Sequence, residues 1–274
     1  MRRQTLIITC LVSFAAGCND KESRNAAKPE ARVVFRSVDG RELTLADLAG
    51  AEGTFEYEIR DAVQIPAEAE SLHQKARRLG ASGDYDAAIN ALIDAQSLAP
   101  QWPYPFYDMA FTSLLKKDFA QAREDYRRTV DLAPRGFFTA ITACDALDRE
   151  AKGELPEGTY AAFVALEWLS DSAEKRRVIS QLTVKLPTFA PVWKEHALLC
   201  DGIADKRAAI EKGLAANPDR ETKGILLINK ALALNEQGDV EIAKTILGNL
   251  ALDPNTTFAN EHLAKQTLAF IVKR

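Results

Sequence analysis

From residue 66 onward, small and apolar residues recur at helical spacing, and the stripes break at evenly placed glycine, aspartate and proline positions. The run Gly83-Asp84-Tyr85-Asp86-Ala87-Ala88 returns 34 residues later as Lys117-Asp118-Phe119-Ala120-Gln121-Ala122. Ala76 and Ala110 stand twelve residues before Ala88 and Ala122, and Pro100 and Pro134 come twelve residues after them. Leu98 matches Leu132 and Ala99 matches Ala133, while Ala95 is answered by Thr129. The pattern predicts a pair of helices per unit. Small side chains at the crossing let two helices approach to about 8–10 Å. Asp84 and Asp118 suit N-caps, where a carboxylate meets orphan amides and the positive dipole end. Pro100 and Pro134 lack the amide that a continuing helix needs, so each closes its unit.

This arrangement, with small residues at the eighth and twentieth places and proline at the thirty-second, resembles the tetratricopeptide repeat (TPR) family. The resemblance is clearest over residues 69–102 and 103–136 and weaker over 220–254. It implies an all-α, right-handed α-solenoid of helix-turn-helix repeats over residues 66–272, with about twelve helices. In the weaker unit, Gly238-Asp239-Val240-Glu241-Ile242-Ala243 repeats the turn and Pro254 arrives one residue early. Thr159–Leu169 with Ala173–Leu186, and Pro191–Leu199 with Asp205–Ala215, read as diverged pairs that end before Pro187 and Pro218. Phe137–Glu150 reads as the first helix of an irregular third unit, its second helix displaced by the loop around Gly153, Pro156 and Gly158. Thr257–Val272 reads as a terminal capping helix.

Ahead of the helices the period changes to two. Phe55, Tyr57 and Ile59 alternate with Glu56, Glu58 and Arg60, a strand pattern. Val33–Ser37 and Arg41–Leu45 flank Val38-Asp39-Gly40, a hairpin signal. Residues 33–62 therefore predict a small β-hairpin or sheet appendage. Three short strands are not stable alone, so the appendage is expected to pack on the first repeat and cover its open end.

The first residues carry a different message. Arg2 and Arg3 precede an apolar run from Leu6 to Ala16, too short for a ~30 Å hydrocarbon core that needs about 20 residues. The run ends in Ala15-Ala16-Gly17-Cys18, which resembles the lipobox of bacterial lipoproteins, with Ala15 where Leu is commonest. The resemblance implies a signal peptide over 1–17, cleavage after Gly17, a lipid on Cys18, and a flexible tether over 18–32. The alternatives are an ordinary secretory signal or a cytosolic chain with an apolar N-terminus. The expected place is the bacterial cell envelope, anchored to a membrane through Cys18 and facing the periplasm. Two or more acyl chains give stable anchoring where one is marginal.

Charge and cysteine count narrow the function. The full chain has 35 Lys and Arg against 39 Asp and Glu, a net charge of −4, and loss of Arg2 and Arg3 would take it to −6. The basic run Lys175-Arg176-Arg177 lies beside Glu174 and reads as a solvated helix face, so nucleic acid is not an expected partner. Cys10 leaves with the signal and Cys18 is consumed by lipid. Cys144 and Cys200 remain, too few for a disulfide framework. His73, His196 and His262 lie on separate helical segments. His196 and Cys200 are four residues apart, but two ligands do not make a zinc site. The chain holds no Gly-x-Ser-x-Gly elbow, phosphate-binding glycine loop or His-Glu-x-x-His. No catalytic residue, metal or cofactor is assigned, and the expectation is a non-enzyme.

The TPR resemblance also implies a ligand groove, lined by the second, fifth, sixth and ninth places of each unit. These are Glu70, His73, Gln74 and Arg77, then Tyr104, Tyr107, Asp108 and Phe111, then Phe138, Ile141, Thr142 and Asp145. The best-known subgroup of the family clamps the terminal carboxylate of chaperone tails with Lys, Asn and Arg at such places. Here His73, Arg77, Asp108, Phe138 and Thr142 stand there, so that clamp is absent. In the second unit Phe106, Met109 and Ala110 already supply a packing face, yet Tyr104, Tyr107 and Phe111 form another stripe. It is either packed on the N-terminal sheet or the next helix, or it is an aromatic docking site for a peptide. The candidate groove is thus His73, Arg77, Tyr104, Tyr107, Asp108, Phe111 and Phe138, in a lipid-anchored protein-protein interaction adaptor. The alternatives are a structural subunit of an envelope assembly and, third, an enzyme. Labelling with a fatty-acid analogue should mark the wild type and fail in Cys18→Ala; equal labelling of both would end the lipid-anchor reading.

Overall fold

The computed structural model describes residues 32–36, 41–44, 56–60, 64–169 and 171–272. The signal segment, Cys18, most of the tether and the Val38-Asp39-Gly40 turn lie outside the described residues. The chain divides into two compact units, Met1–Gln64 and Ile65–Arg274.

In the first unit, β1 (Arg32–Arg36), β2 (Glu42–Leu43) and β3 (Glu56–Arg60) form an antiparallel sheet in the order β2-β1-β3. Phe35 pairs with Leu43 on one side and Tyr57 on the other, and Val33 pairs with Ile59.

The second unit is all-α, with twelve helices among the described residues. The two regular pairs are α1 (Ala67–Ala81) with α2 (Tyr85–Leu98), and α3 (Pro103–Leu115) with α4 (Phe119–Leu132). Then come α5 (Ala140–Ala151), α6 (Thr159–Val164) with a 3-10 turn over Ala165–Trp168, α7 (Ser172–Lys185), α8 (Ala190–Leu199) and α9 (Ile203–Ala215). The array ends in α10 (Arg220–Gln237), α11 (Val240–Leu252) and α12 (Phe258–Val272). Helices adjacent in sequence pack as repeat-like pairs, the arrangement of a TPR-like solenoid.

Local chemistry explains the regular part. The Asp84 carboxylate accepts from the Ala87 amide at 3.2 Å and Asp118 accepts from Gln121 at 3.1 Å, so both aspartates cap their helices. The preceding turn takes the same left-handed conformation three times, at Gly83 (φ 85°), Lys117 (φ 62°) and Gly238 (φ 96°). Ala88 and Ala122 are 1% and 0% exposed. Thr129, in place of an alanine, is fully buried and satisfies its hydroxyl on the Asp125 carbonyl at 2.9 Å.

Two segments depart from the expected boundaries. The helix read over Phe137–Glu150 starts only at Ala140, because Gly136 and Phe138 both have positive φ, 102° and 47°. The helix read over Thr159–Leu169 gives way after Val164 to the 3-10 turn.

The α4–α5 linker meets the far end of the array. The Phe258 amide donates to the Arg135 carbonyl at 2.8 Å, and the Arg135 guanidinium reaches the Thr256 carbonyl and the Glu261 carboxylate. It also lies 4.1 Å over the Phe258 ring. Arg220 bonds the Pro134 carbonyl. A Cβ on Gly136 would meet the Thr257 Cβ at 3.0 Å, and a Cβ on Gly224 would run into the Asn260 side chain. The Asn260 amide, 1% exposed, donates to the Glu221 carbonyl at 2.9 Å. The terminal helix therefore docks on α10 and on the linker.

Ala122→Leu should overpack its crossing and cost roughly 1–3 kcal/mol, read as an earlier thermal transition. An unchanged transition would tell against the register. Gly224→Ala should also destabilise, although alanine is the better helix former by about 1 kcal/mol, because the added methyl displaces Asn260. A gain in urea midpoint for this variant would mean that α12 does not sit as described.

Candidate functional site

Helical spacing places Glu70, His73, Gln74 and Arg77 on one stripe of α1, at offsets of three, four and seven. Pro103 at the first turn and the Trp102 N-cap start α3 so that Tyr104, Tyr107, Asp108 and Phe111 form the matching stripe. The two stripes meet. His73 Nε2 lies 2.8 Å from Asp108 Oδ2, and Arg77 Nε lies 4.0 Å from the same oxygen. His73 is buried, and its ring stands edge-on to Trp102 at 4.8 Å and Tyr104 at 5.5 Å. Burial draws the Arg77 guanidinium below its usual pKa, while the Asp108 charge opposes the shift.

The linker residue Phe138 completes the cluster, with ring centroids 5.6 Å from Tyr104 and 5.3 Å from Tyr107. His73, Arg77, Tyr104, Tyr107, Asp108 and Phe138 are thus contiguous, and Phe111 is half-buried one turn farther along α3.

Of the two readings left open for the aromatic stripe, Tyr107 follows the packed one, against the next helix. It is 5% exposed, its ring packs edge-on to Tyr126 and Phe137, and its hydroxyl bonds Thr139 Oγ1 at 2.9 Å. The Tyr160 hydroxyl reaches the same Thr139 oxygen at 3.4 Å. Burial raises the pKa of Tyr107, and Tyr160 is raised well above the ordinary value for the same reason. The cause is the left-handed linker, which turns Phe137 and Phe138 inward over α3. Tyr107 belongs to the packing of α3 on α4 and α5.

The third unit's places differ as well. Ile141 and Thr142 are buried. The Thr142 amide and hydroxyl both reach Glu221 Oε2 at 3.1 Å, and the hydroxyl also lies 3.1 Å from Asp219 Oδ1. The first turn of α10 therefore packs on the stripe of α5 that the repeat resemblance assigns to a groove. Asp145 is half-buried, and burial, joined by the Asp219 charge, pushes its carboxyl up. Of residues 218–222 the sequence reading uses only Pro218, as the stop after a diverged pair. Nothing local signalled that Glu221 reaches a helix some eighty positions earlier.

Neither cysteine of the helical unit is poised as a thiolate. Burial pushes the Cys144 thiol up to about 11, so it is not a ready thiolate. Cys200 donates to the His196 carbonyl at 3.4 Å. Burial lowers the His196 pKa, with Lys212 adding to the effect. Among the described residues, no group of three or more His, Cys, Asp or Glu is placed to hold a metal ion. Among the same residues, no helix is long and apolar enough to cross a membrane.

Tyr107→Phe removes one buried hydrogen bond and should cost about 0.5–1.5 kcal/mol. Tyr107→Ala should cost about 3 kcal/mol or more, since it leaves a cavity lined by aromatic rings. Urea midpoints at constant slope check both; an unshifted midpoint for the alanine variant would return Tyr107 to the surface.

No family model matches the sequence, and no curated protein matches it. Among solved structures, the chain is similar to MamA from residue 41 to its end, of Desulfovibrio magneticus RS-1. The identity is 15%, over 68% of this chain and 94% of that one, with a TM-score of 0.33. It is also similar to TTC0263, a thermophilic TPR protein of Thermus thermophilus. There the identity is 18%, over 73% of this chain and 98% of that one, with a TM-score of 0.30. These likenesses are weak and partial. The repeat assignment rests on the chain's own 34-residue register, its caps and its alanine crossings.

Proposed function

We propose that this protein is a lipid-anchored, extracytoplasmic scaffold that holds a protein or peptide partner along the first helices of its two regular units. One observation carries the reading: α1 and α3 bring His73, Arg77 and Asp108 into one polar cluster beside Tyr104 and Phe138, with Glu70 and Gln74 exposed on the same stripe. A surface that sets ionic groups beside aromatic rings suits an extended segment with a charged and an apolar side chain. The lipobox resemblance at Cys18 supports the membrane anchor and the periplasmic location.

A second reading, a structural subunit of an envelope assembly whose groove is filled from within, is favoured by the way α10 covers Thr142. The two separate by where the partner touches. A photo-crosslinking residue at exposed Gln74 on α1 should capture a partner in intact cells, and one at exposed Asp94 on α2 should not. Capture at Asp94 with none at Gln74 would replace the scaffold reading by the structural one. Arg77→Ala should weaken the Gln74 adduct, and the loss should shrink at high salt for a charged partner.

A further inference from the structure

We propose that the contact between α5 and α10 is a proton-operated clasp: one proton shared between Glu221 and Thr142 holds the two helix ends together, and its loss parts them and uncovers the groove face of α5.

Hydrogen-bond accounting carries the inference. Thr142 Oγ1 has one hydrogen, yet it lies 3.1 Å from Glu221 Oε2 and 3.1 Å from Asp219 Oδ1. With both carboxyls ionised, that one hydrogen must be split between two anionic oxygens, a three-centre bond weaker than two full ones. Thr222 Oγ1, 3.3 Å from Thr142 Oγ1, does not mend this, because the second hydrogen is needed on a carboxylate contact. A proton on Glu221 Oε2 completes the chain. That oxygen donates to Thr142 Oγ1 while still accepting from the Thr142 amide, and Thr142 Oγ1 donates to Asp219 Oδ1.

The choice of carboxyl follows from the backbone. Asp219 Oδ1 already accepts from the amides of Glu221 at 2.9 Å and Thr222 at 3.1 Å, as the N-cap of α10. These donors favour its ionised form. The ends of α5 and α10 each supply about half a positive charge, so together they balance roughly one carboxylate and not two. The N-terminal amide of α12 has its own acceptor in the Arg135 carbonyl. Burial, with the Asp219 charge adding, pushes the Glu221 carboxyl up to about 8, against its bonds from Thr142 and the charge of Lys194.

The groups that face this point set the direction of the switch. Asp219 adjoins Glu221 on its own helix, Lys194 approaches from α8, and Asp145 on α5 feels Asp219. The hydroxyls of Tyr107 on α3 and Tyr160 on α6 sense the Glu221 charge, together with that of Glu167 on the 3-10 turn. Asp108 on α3 also acts on Tyr107. From α12 comes the neutral Asn260 amide. Acids outnumber bases here, so a second carboxylate meets net repulsion. Because the closed form raises the Glu221 pKa, its contribution is fully present below the ordinary glutamate range and is lost as pH climbs through about 8. The clasp stands whether or not a partner binds α1 and α3.

Carbon-13 NMR of the Glu side-chain carboxyls of the full chain, titrated from about pH 5 to about 9.5, tests it. Glu221, assigned through its proximity to Thr142, should titrate near pH 8, and the Thr142 amide should shift with the same midpoint. Small-angle scattering should show the wild type expanding through that range and Glu221→Gln holding its dimensions. A Glu221 midpoint in the ordinary carboxyl range, a silent Thr142 amide, or an equal expansion of Glu221→Gln would each overturn the proposal. If Glu221→Gln does not fold, the wild-type titration decides alone.

Discussion

Three helix beginnings, those of α5, α10 and α12, must fit around the short linker between Pro134 and Phe138, and much else in the helical unit is arranged to permit it. A helix N-terminus brings unsatisfied amides and partial positive charge wherever it is buried. Here each finds an acceptor, α5 and α12 from a distant part of the chain and α10 from its own N-cap. The α5 amide at Thr142 takes the Glu221 carboxyl oxygen, α10 is capped by Asp219, and the Phe258 amide of α12 takes the Arg135 carbonyl. Two glycines make room. Gly136 combines a left-handed backbone with close contact to Thr257, and Gly224 lets the Asn260 amide sit against α10.

This constraint explains why the third unit departs from the first two. The pairs α1–α2 and α3–α4 need only their neighbours, so their boundaries follow local rules: an aspartate cap, a left-handed turn, alanines at the crossing. The third unit answers to contacts across the array. Its first helix starts three residues late because Gly136 and Phe138 are spent on turning the chain, and the same turn drives Phe137 and Phe138 onto α3.

What the sequence made legible divides along the same line. Asp84, Asp118, Ala88 and Ala122 were readable because their reasons lie within one unit. The stripe of His73, Arg77, Tyr104 and Asp108 was readable too, since helical spacing alone aligns it. Tyr107 was not. Its position on α3 is that of a groove residue, and only the linker's left-handed turn, a tertiary outcome, closes Phe137 over it. Glu221 was hidden for a related reason: a first-turn glutamate after an aspartate cap is the commonest of helix signals, and here it also serves a second helix.

The stripes aligned by the repeat register are open unevenly among the described residues. Over α1 the places Glu70 and Gln74 are exposed, and Arg77 keeps a quarter of its side chain in solvent. Over α5 the place of Thr142 is closed by α10 through a hydrogen-bonded set of oxygens, while Asp145 stays partly exposed. An apolar seam would bind more permanently, because nothing in it titrates. Polar groups in a closed contact are costly unless every one is satisfied, and satisfaction here turns on a single hydrogen. A contact built in that way is easier to release than to strengthen. The helical unit is therefore better understood as two regular pairs whose stripes stay partly open, followed by a third whose stripe the chain itself covers at Thr142.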